Sequence, residues 1–354
     1  MTQHILLYTD EPGVGGIAQY NHSMVLALAQ RGDRVTVVQS YRDNPLLTEQ
    51  REAGIQHHWL DFDTMADFQR TFTEPAEAQA ALQTYQPDLI LFSDGCPLSN
   101  FAAKQVAIEQ QIPFLIVVGF VAPNLSYHFP TTVDPAPVLQ RLATYFEQAK
   151  AVVAVSQHNL DLLRSVFHLP AHQGEVIHYG RPPQYFEPRR ATVRDRLRTE
   201  LQLPEAAVLC LTPARLEPIK GYQYQLDAIL RLRQDDCLGP LHFAWAGTGQ
   251  LREWLEQTIQ QAELGDRVHL LGQRWDIADW LDAADIFVLP SEAEGMPLAI
   301  MEAMAKGLPV VATAVSGIPE ELGDTGVLLS DPTVDAAATG QMLAETLFLL
   351  AADA

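Results

Sequence analysis

Short runs rich in β-branched and aromatic residues alternate with helix-period stretches along the chain, and after residue 180 the alternation begins again. Parallel strands buried on both faces and joined by crossover helices read this way, so the pattern restricts the chain to an α/β architecture. In the first half, strands are expected at 4–8, 35–39, 88–93, 113–119, 151–155 and 176–179, with helices at 16–31, 74–85, 98–110, 138–150 and 157–167. Arg181-Pro182-Pro183 and Glu187-Pro188-Arg189-Arg190 then read as a linker feeding a short helix. Beyond it come strands at 208–211, 241–246, 268–271, 285–289, 309–312 and 326–329, with helices at 222–233, 250–263, 277–283 and 297–306. The expected fold is therefore two Rossmann-like, doubly wound domains in tandem, 1–182 and 183–354, with a ligand cleft between them.

Composition narrows the partners. With 354 residues, 47% of them hydrophobic, the chain can build ordinary packed cores. Its formal net charge of −21 repels nucleic acid and anionic lipid, so no nucleic-acid partner and at most peripheral membrane contact are expected. Cys96, Cys210 and Cys237 lie far apart with no Cys-x-x-Cys pair, against both a disulfide framework and a zinc site. The apolar run Ile5-Leu6-Leu7-Tyr8 is too short for a signal peptide, and a cytoplasmic protein is expected.

Three segments carry chemistry. Gly13-Val14-Gly15-Gly16-Ile17-Ala18 follows the first strand and opens a helix, where free amides and the helix dipole suit an anion or a sugar hydroxyl. It also fits the dinucleotide fingerprint, but Val37-Val38-Gln39-Ser40 ends the second strand without the acid that would hold a ribose. The other reading is a glycine turn that lets helix and strand pack closely. Arg215 and Lys220 lie just past the strand at 208–211, with a helix starting near Gly221, and together form a metal-free diphosphate clamp. The chain has only four lysines, which argues against Lys220 as surface filler, although pairing with Glu217 is the competing reading. Glu294 and Glu302 flank Gly295-Met296-Pro297-Leu298, a loop running into a helix with Pro297 at its first position and Gly307 beyond its end. Their structural rivals are a Ser291-x-x-Glu294 capping box and a Glu302–Lys306 i,i+4 pair.

The Glu-x7-Glu string, followed by Pro309-Val310-Val311-Ala312-Thr313 and Gly317-Ile318-Pro319-Glu320, resembles the donor site of retaining glycosyltransferases of the GT-B fold, the family 4 group. Arg215-x4-Lys220, the Gly15-Gly16 loop and Ala284-Asp285-Ile286-Phe287-Val288-Leu289-Pro290-Ser291 fit the same pattern, over residues 4 to about 330. The resemblance implies sugar transfer from a nucleoside-diphosphate sugar to an acceptor hydroxyl, without metal or cofactor. It assigns Arg215 and Lys220 to the diphosphate, Glu294 to the sugar, Glu302 to the ribose, and Arg274 and Trp275 to the base region, with the segment Gly295-Met296-Pro297-Leu298 lying between the two glutamates. The acceptor, a carbohydrate, lipid-linked or small molecule, falls to the first domain with Gly15 and Gly16. A nucleotide-sugar epimerase, a phosphorylase or a silent sugar-binding protein on the same fold are the alternatives.

The resemblance breaks at three places. Relatives put a His before the Gly-Phe pair after the fifth strand; here Val118 precedes Gly119-Phe120, and His128 is the candidate substitute, with a packing role as its alternative. The domain boundary reads His178-Tyr179-Gly180-Arg181 instead of an Asn-Gly-Val-Asp-like turn. A last helix is expected at 342–350, and the crossing helix that relatives carry after it is absent or truncated. Two weaker signals have bland readings: Asp61-Phe62-Asp63 beside His57-His58 as a solvated loop rather than a metal site, and the arginines from Arg181 to Arg198 as an exposed linker helix rather than an anion-binding surface.

Overall fold

A computed structural model describes residues 2–127 and 134–352. The chain divides into two compact units, Met1–Tyr179 and Gly180–Ala354. The first holds a wholly parallel sheet of β1 (His4–Thr9), β2 (Arg34–Ser40), β3 (Gln56–Leu60), β4 (Leu89–Asp94), β5 (Phe114–Val118), β6 (Ala151–Ala154) and β7 (Glu175–Val176). Their order is β3-β2-β1-β4-β5-β6-β7, so the winding reverses between β1 and β4. Successive residues of one strand bury on opposite faces: Leu6 and Tyr8 join one core with Phe92 and Ile116, while Leu7 joins another with Val25, Val37 and Val117.

The second unit repeats the plan with β8 (Val208–Pro213), β9 (Leu241–Ala246), β10 (Val268–Gly272), β11 (Ile286–Leu289), β12 (Val310–Thr313) and β13 (Val327–Leu329), in the order β10-β9-β8-β11-β12-β13. Here Cys210, Trp245 and Val288 pack on one face and Leu211, Ala244 and Phe287 on the other. The final helix, Ala336–Ala352, starts earlier than expected, and its Leu343 and Leu347 join the core that holds Leu226 and Ile229. Among the described residues no helix is long and apolar enough to cross a membrane.

Some elements depart from the sequence reading. β3 was not expected: its Gln-His-His-Trp-Leu is an edge strand bonded to β2 alone, and an edge needs no apolar run. The last strand of the first sheet is only Glu175–Val176, short of the expected 176–179. Pro297 is the N-cap of the helix Leu298–Ala305, with extended backbone, rather than its first helical residue. The arginine-rich stretch forms a ten-residue helix, Ala191–Glu200, docked by charge: Arg194 and Arg198 reach Asp285 at 2.6 and 3.0 Å, and Arg190 reaches Asp279 and Asp282. Its cations are spent on the unit's own carboxylates, unlike those of a solvated helix.

Candidate active site

In the second sheet the winding reverses between β8 and β11, where Cys210 lies opposite Ile286 and Leu211 opposite Phe287. Loops leaving the carboxyl ends of these two strands must therefore emerge side by side, which is where open α/β sheets form ligand crevices. The Thr212 hydroxyl donates to the Val288 carbonyl at 2.7 Å, and the Glu292 amide donates to the Ile219 carbonyl at 2.8 Å, tying loop to loop. Gly221 makes that approach possible. Its φ is +77°, and a Cβ there would sit 1.9 Å from the Pro290 carbonyl oxygen.

Lys220 and Glu294, 74 residues apart, meet across this junction, Nζ to Oε1 at 2.6 Å with side chains 15% and 9% exposed. Ser291 Oγ donates to the same Oε1 at 2.8 Å, and the Glu294 amide donates to Ser316 Oγ at 3.2 Å. Ser291 thus holds the Glu294 side chain directly and caps no helix, since the residues between them are irregular. Among the described residues the lysine ammonium makes this one side-chain bond, which leaves two donors in reserve. Among the described residues, the buried amides of Gly295, Met296 and Leu298 find no acceptor, as expected at the start of a helix. A cation with spare donors, a fixed carboxylate and free amides suit a ligand that is anionic at one end and hydroxylated at the other.

The other assigned residues lie differently. Arg215 is exposed and, among the described residues, makes no ion pair, so neither cation of this loop pairs with Glu217. Glu302 meets Arg181 at 2.5 Å instead of Lys306, whose ammonium is 2.9 Å from Asp282. Arg274 grips Asp276 at 2.6 and 2.8 Å and lies 5.3 Å from the centre of the Trp280 ring, while Trp275 is exposed. In the first unit Gly15 is the exposed N-cap of the helix Gly16–Gln30, with open space where a side chain would be. Beside it is a small hollow lined by Glu11, Gly13, Asn21, Gln39 and Gln50. His128 lies outside the described residues. Asp61 and Asp63 separate to pair with Arg70 and Arg42, and His57 stacks on Trp59. Among the described residues no group of three or more metal-ligating side chains comes together.

Three features were not anticipated from sequence. Glu292 Oε1 accepts from Tyr224 Oη at 2.7 Å and Gln223 Nε2 at 3.0 Å, which braces the loop carrying Glu294; burial, then this carboxylate, pushes the Tyr224 phenol up to about 12. On the helix Ile318–Leu322, both carboxyl oxygens of Glu321 are buried, and burial, then the charge of Glu294, push its carboxyl up to about 9, opposed by the Met301 backbone amide. At the reversal point of the first sheet, fully buried Lys104 donates to Asp94 at 2.5 Å and to the Ser99 carbonyl at 2.6 Å, beside Asp10, whose carboxyl burial pushes up. A lysine inside an otherwise apolar helix pattern was the available signal for Lys104; Glu292 and Glu321 left none.

The chain is similar to known glycosyltransferases. Residues 207–345 match the model of glycosyl transferases group 1, and residues 14–185 that of glycosyltransferase family 4. The chain is 37% identical over 159 residues to the amylovoran biosynthesis glycosyltransferase AmsK of Erwinia amylovora, covering 43% of this chain and 36% of that one. It is 34% identical over 185 residues to the putative colanic acid biosynthesis glycosyltransferase WcaL of Salmonella typhimurium, covering 49% and 44%. It is also 37% identical over 164 residues to a D-inositol 3-phosphate glycosyltransferase of Xylanimonas cellulosilytica, covering 45% and 39%. The matched segments thus span less than half the length of these relatives. Among solved structures the fold is similar to HepE of Anabaena in complex with UDP and glucose, with TM-score 0.76, 21% identity and coverage of 98% and 89%. Sucrose-phosphate synthase from Thermosynechococcus elongatus gives 0.71, 20%, 99% and 97%. With two family models that between them span most of the chain, and a fold shared along almost all of it, the protein belongs to the GT-B glycosyltransferases of the family 4 group.

Proposed function

We propose that the protein is a retaining glycosyltransferase that takes a sugar from a nucleoside-diphosphate sugar and passes it to an acceptor hydroxyl without a metal ion. The observation that carries this reading is the meeting of Lys220 and Glu294 beside the unsatisfied amides of Gly295, Met296 and Leu298. Lys220, Arg215 and those amides would receive the diphosphate. Charge develops on that group as the glycosidic bond breaks, and fixed donors aimed at it lower the barrier most. Glu294, already held by Ser291, would accept from hydroxyls of the sugar. Departure of the diphosphate and attack by the acceptor on the same face preserve the anomeric configuration, so no second catalytic carboxylate is needed.

On this reading residues 183–354 hold the donor and residues 1–182 the acceptor, the latter through the Gly15-Gly16 loop and the hollow beside it. That hollow offers amide side chains and one carboxylate and suits a hydroxyl-bearing acceptor, in keeping with relatives named for amylovoran and colanic acid biosynthesis. The cysteines are all free, which fits a reducing cytoplasm.

A thermal-shift series with UDP, GDP, ADP and their glucose or mannose conjugates tests the reading. One family of nucleotides should raise the melting temperature in the presence of EDTA, and Lys220→Ala should weaken that ligand by roughly tenfold or more, the loss of a charge-assisted contact. No shift with any nucleotide refutes the proposal.

A further inference from the structure

Arg181 is the first arginine after the division between the units, and its side chain is 3% exposed. It contacts Glu302 Oε1 at 2.5 Å, and its guanidinium lies 4.7 Å from the centre of the Tyr185 ring. Tyr185 also hydrogen-bonds the Glu302 carboxyl. Burial pushes that carboxyl upward and Arg181 opposes the push. Tyr185 hydrogen-bonds the guanidinium as well, while among the described residues its Nε and Nη1 are buried with no hydrogen-bond partner. A pair kept only to fasten the linker to the helix Leu298–Ala305 would be expected to use those donors, because buried polar groups are nearly always satisfied.

We propose that Arg181 is a positioning residue of the donor site, which holds Glu302 as an oriented carboxylate for the two ribose hydroxyls of the nucleotide. The assignment rests on the donor reading above, with Glu302 as the ribose contact. A charged carboxylate accepts from a vicinal diol more strongly than a neutral acid does, and it can do so only while a cation offsets its burial. Tyr185 fixes the plane of the guanidinium, and Lys306 is not available to replace it because Asp282 and the Glu187 carbonyl hold its ammonium.

Calorimetric titration with UDP, GDP and ADP, each beside its 2′-deoxy counterpart, tests the assignment on wild type, Arg181→Met, Arg181→Lys, Glu302→Gln and the Arg181→Met/Glu302→Gln double variant. Wild type should prefer the ribonucleotide it binds to the deoxy form by about tenfold, the size of one lost charged hydrogen bond. Arg181→Met should erase that preference while Arg181→Lys keeps part of it, and in the Glu302→Gln background Arg181→Met should change nothing further. The assignment falls if wild type shows no ribose preference, if Arg181→Met keeps it, or if Arg181→Met binds more tightly, which would make Arg181 a competitor for Glu302. Should Arg181→Met fail to fold, Arg181→Lys and Glu302→Gln decide: equal ribose preference in both and in wild type overturns the assignment. If wild type binds none of the three nucleotides, the donor reading itself fails, an outcome distinct from binding that ignores Arg181.

Discussion

Glu321 is a carboxyl in the wrong solvent. Its ordinary value of 4.5 rises to about 9 in the folded chain, so the native state holds a proton that the unfolded state releases above about pH 4.5. The linkage has a definite sign: the folded state binds more protons between those values, and stability is greatest below about 4.5 and falls as pH rises towards 9. Glu321→Gln removes the titrating group, so thermal melts from pH 5 to 9 should show a decline of several degrees in wild type that flattens in the variant. Lys220 and Glu294 make the complementary case. Each satisfies the other, so Glu294→Ala strands a largely buried ammonium and should cost stability, on the order of 1–3 kcal/mol, as well as donor binding. Comparing the denaturant midpoint of Glu294→Ala with that of Glu294→Gln, which keeps an acceptor, separates the two effects.

At the scale of elements, what the sequence disclosed followed burial. Strands covered on both faces, such as β5 with Phe-Leu-Ile-Val-Val and β11 with Ile-Phe-Val-Leu, are legible as apolar runs because nearly every position must exclude water. β3 was silent because an edge strand packs on one side and tolerates Gln56 and His57. The loop and helix around Glu294 were legible through Pro297 and Gly307, which mark helix ends locally, whereas the partner of Glu302 was not: Arg181 lies 121 positions away and nothing near it signals the pairing. Gly221 shows how tightly two such loops are set. Gly221→Ala would place a methyl against the Pro290 carbonyl in a left-handed conformation, so a loss of about 2 kcal/mol or more is expected, together with loss of nucleotide binding, measured by denaturant unfolding and titration. The docked helix Ala191–Glu200 gives another test. Asp285 receives Arg194, Arg198 and the Leu209 amide, and Asp285→Ala should destabilise by about 3 kcal/mol through the unpaired arginines it leaves.

For the whole molecule, each unit has its own two-faced core, one built from residues such as Phe92, Phe101 and Val117 and the other from Trp245, Trp280 and Phe287. Separate cores can melt separately, so calorimetry should resolve two transitions, and a bound nucleotide should raise the one belonging to residues 180–354. A single transition raised as a whole would show the units unfolding together.

The neutralised arginines of the helix Ala191–Glu200 bear on how fast a substrate arrives. A molecule of net charge −21 whose densest run of cations is already matched by Asp279, Asp282 and Asp285 has little positive field to draw in a dianion from afar. Encounter with a nucleotide is then an uphill approach until the last few ångströms, and added salt should quicken it by damping the repulsion. Stopped-flow association rates that climb with ionic strength, against the habit of phosphate-binding proteins, are the signature of that arrangement.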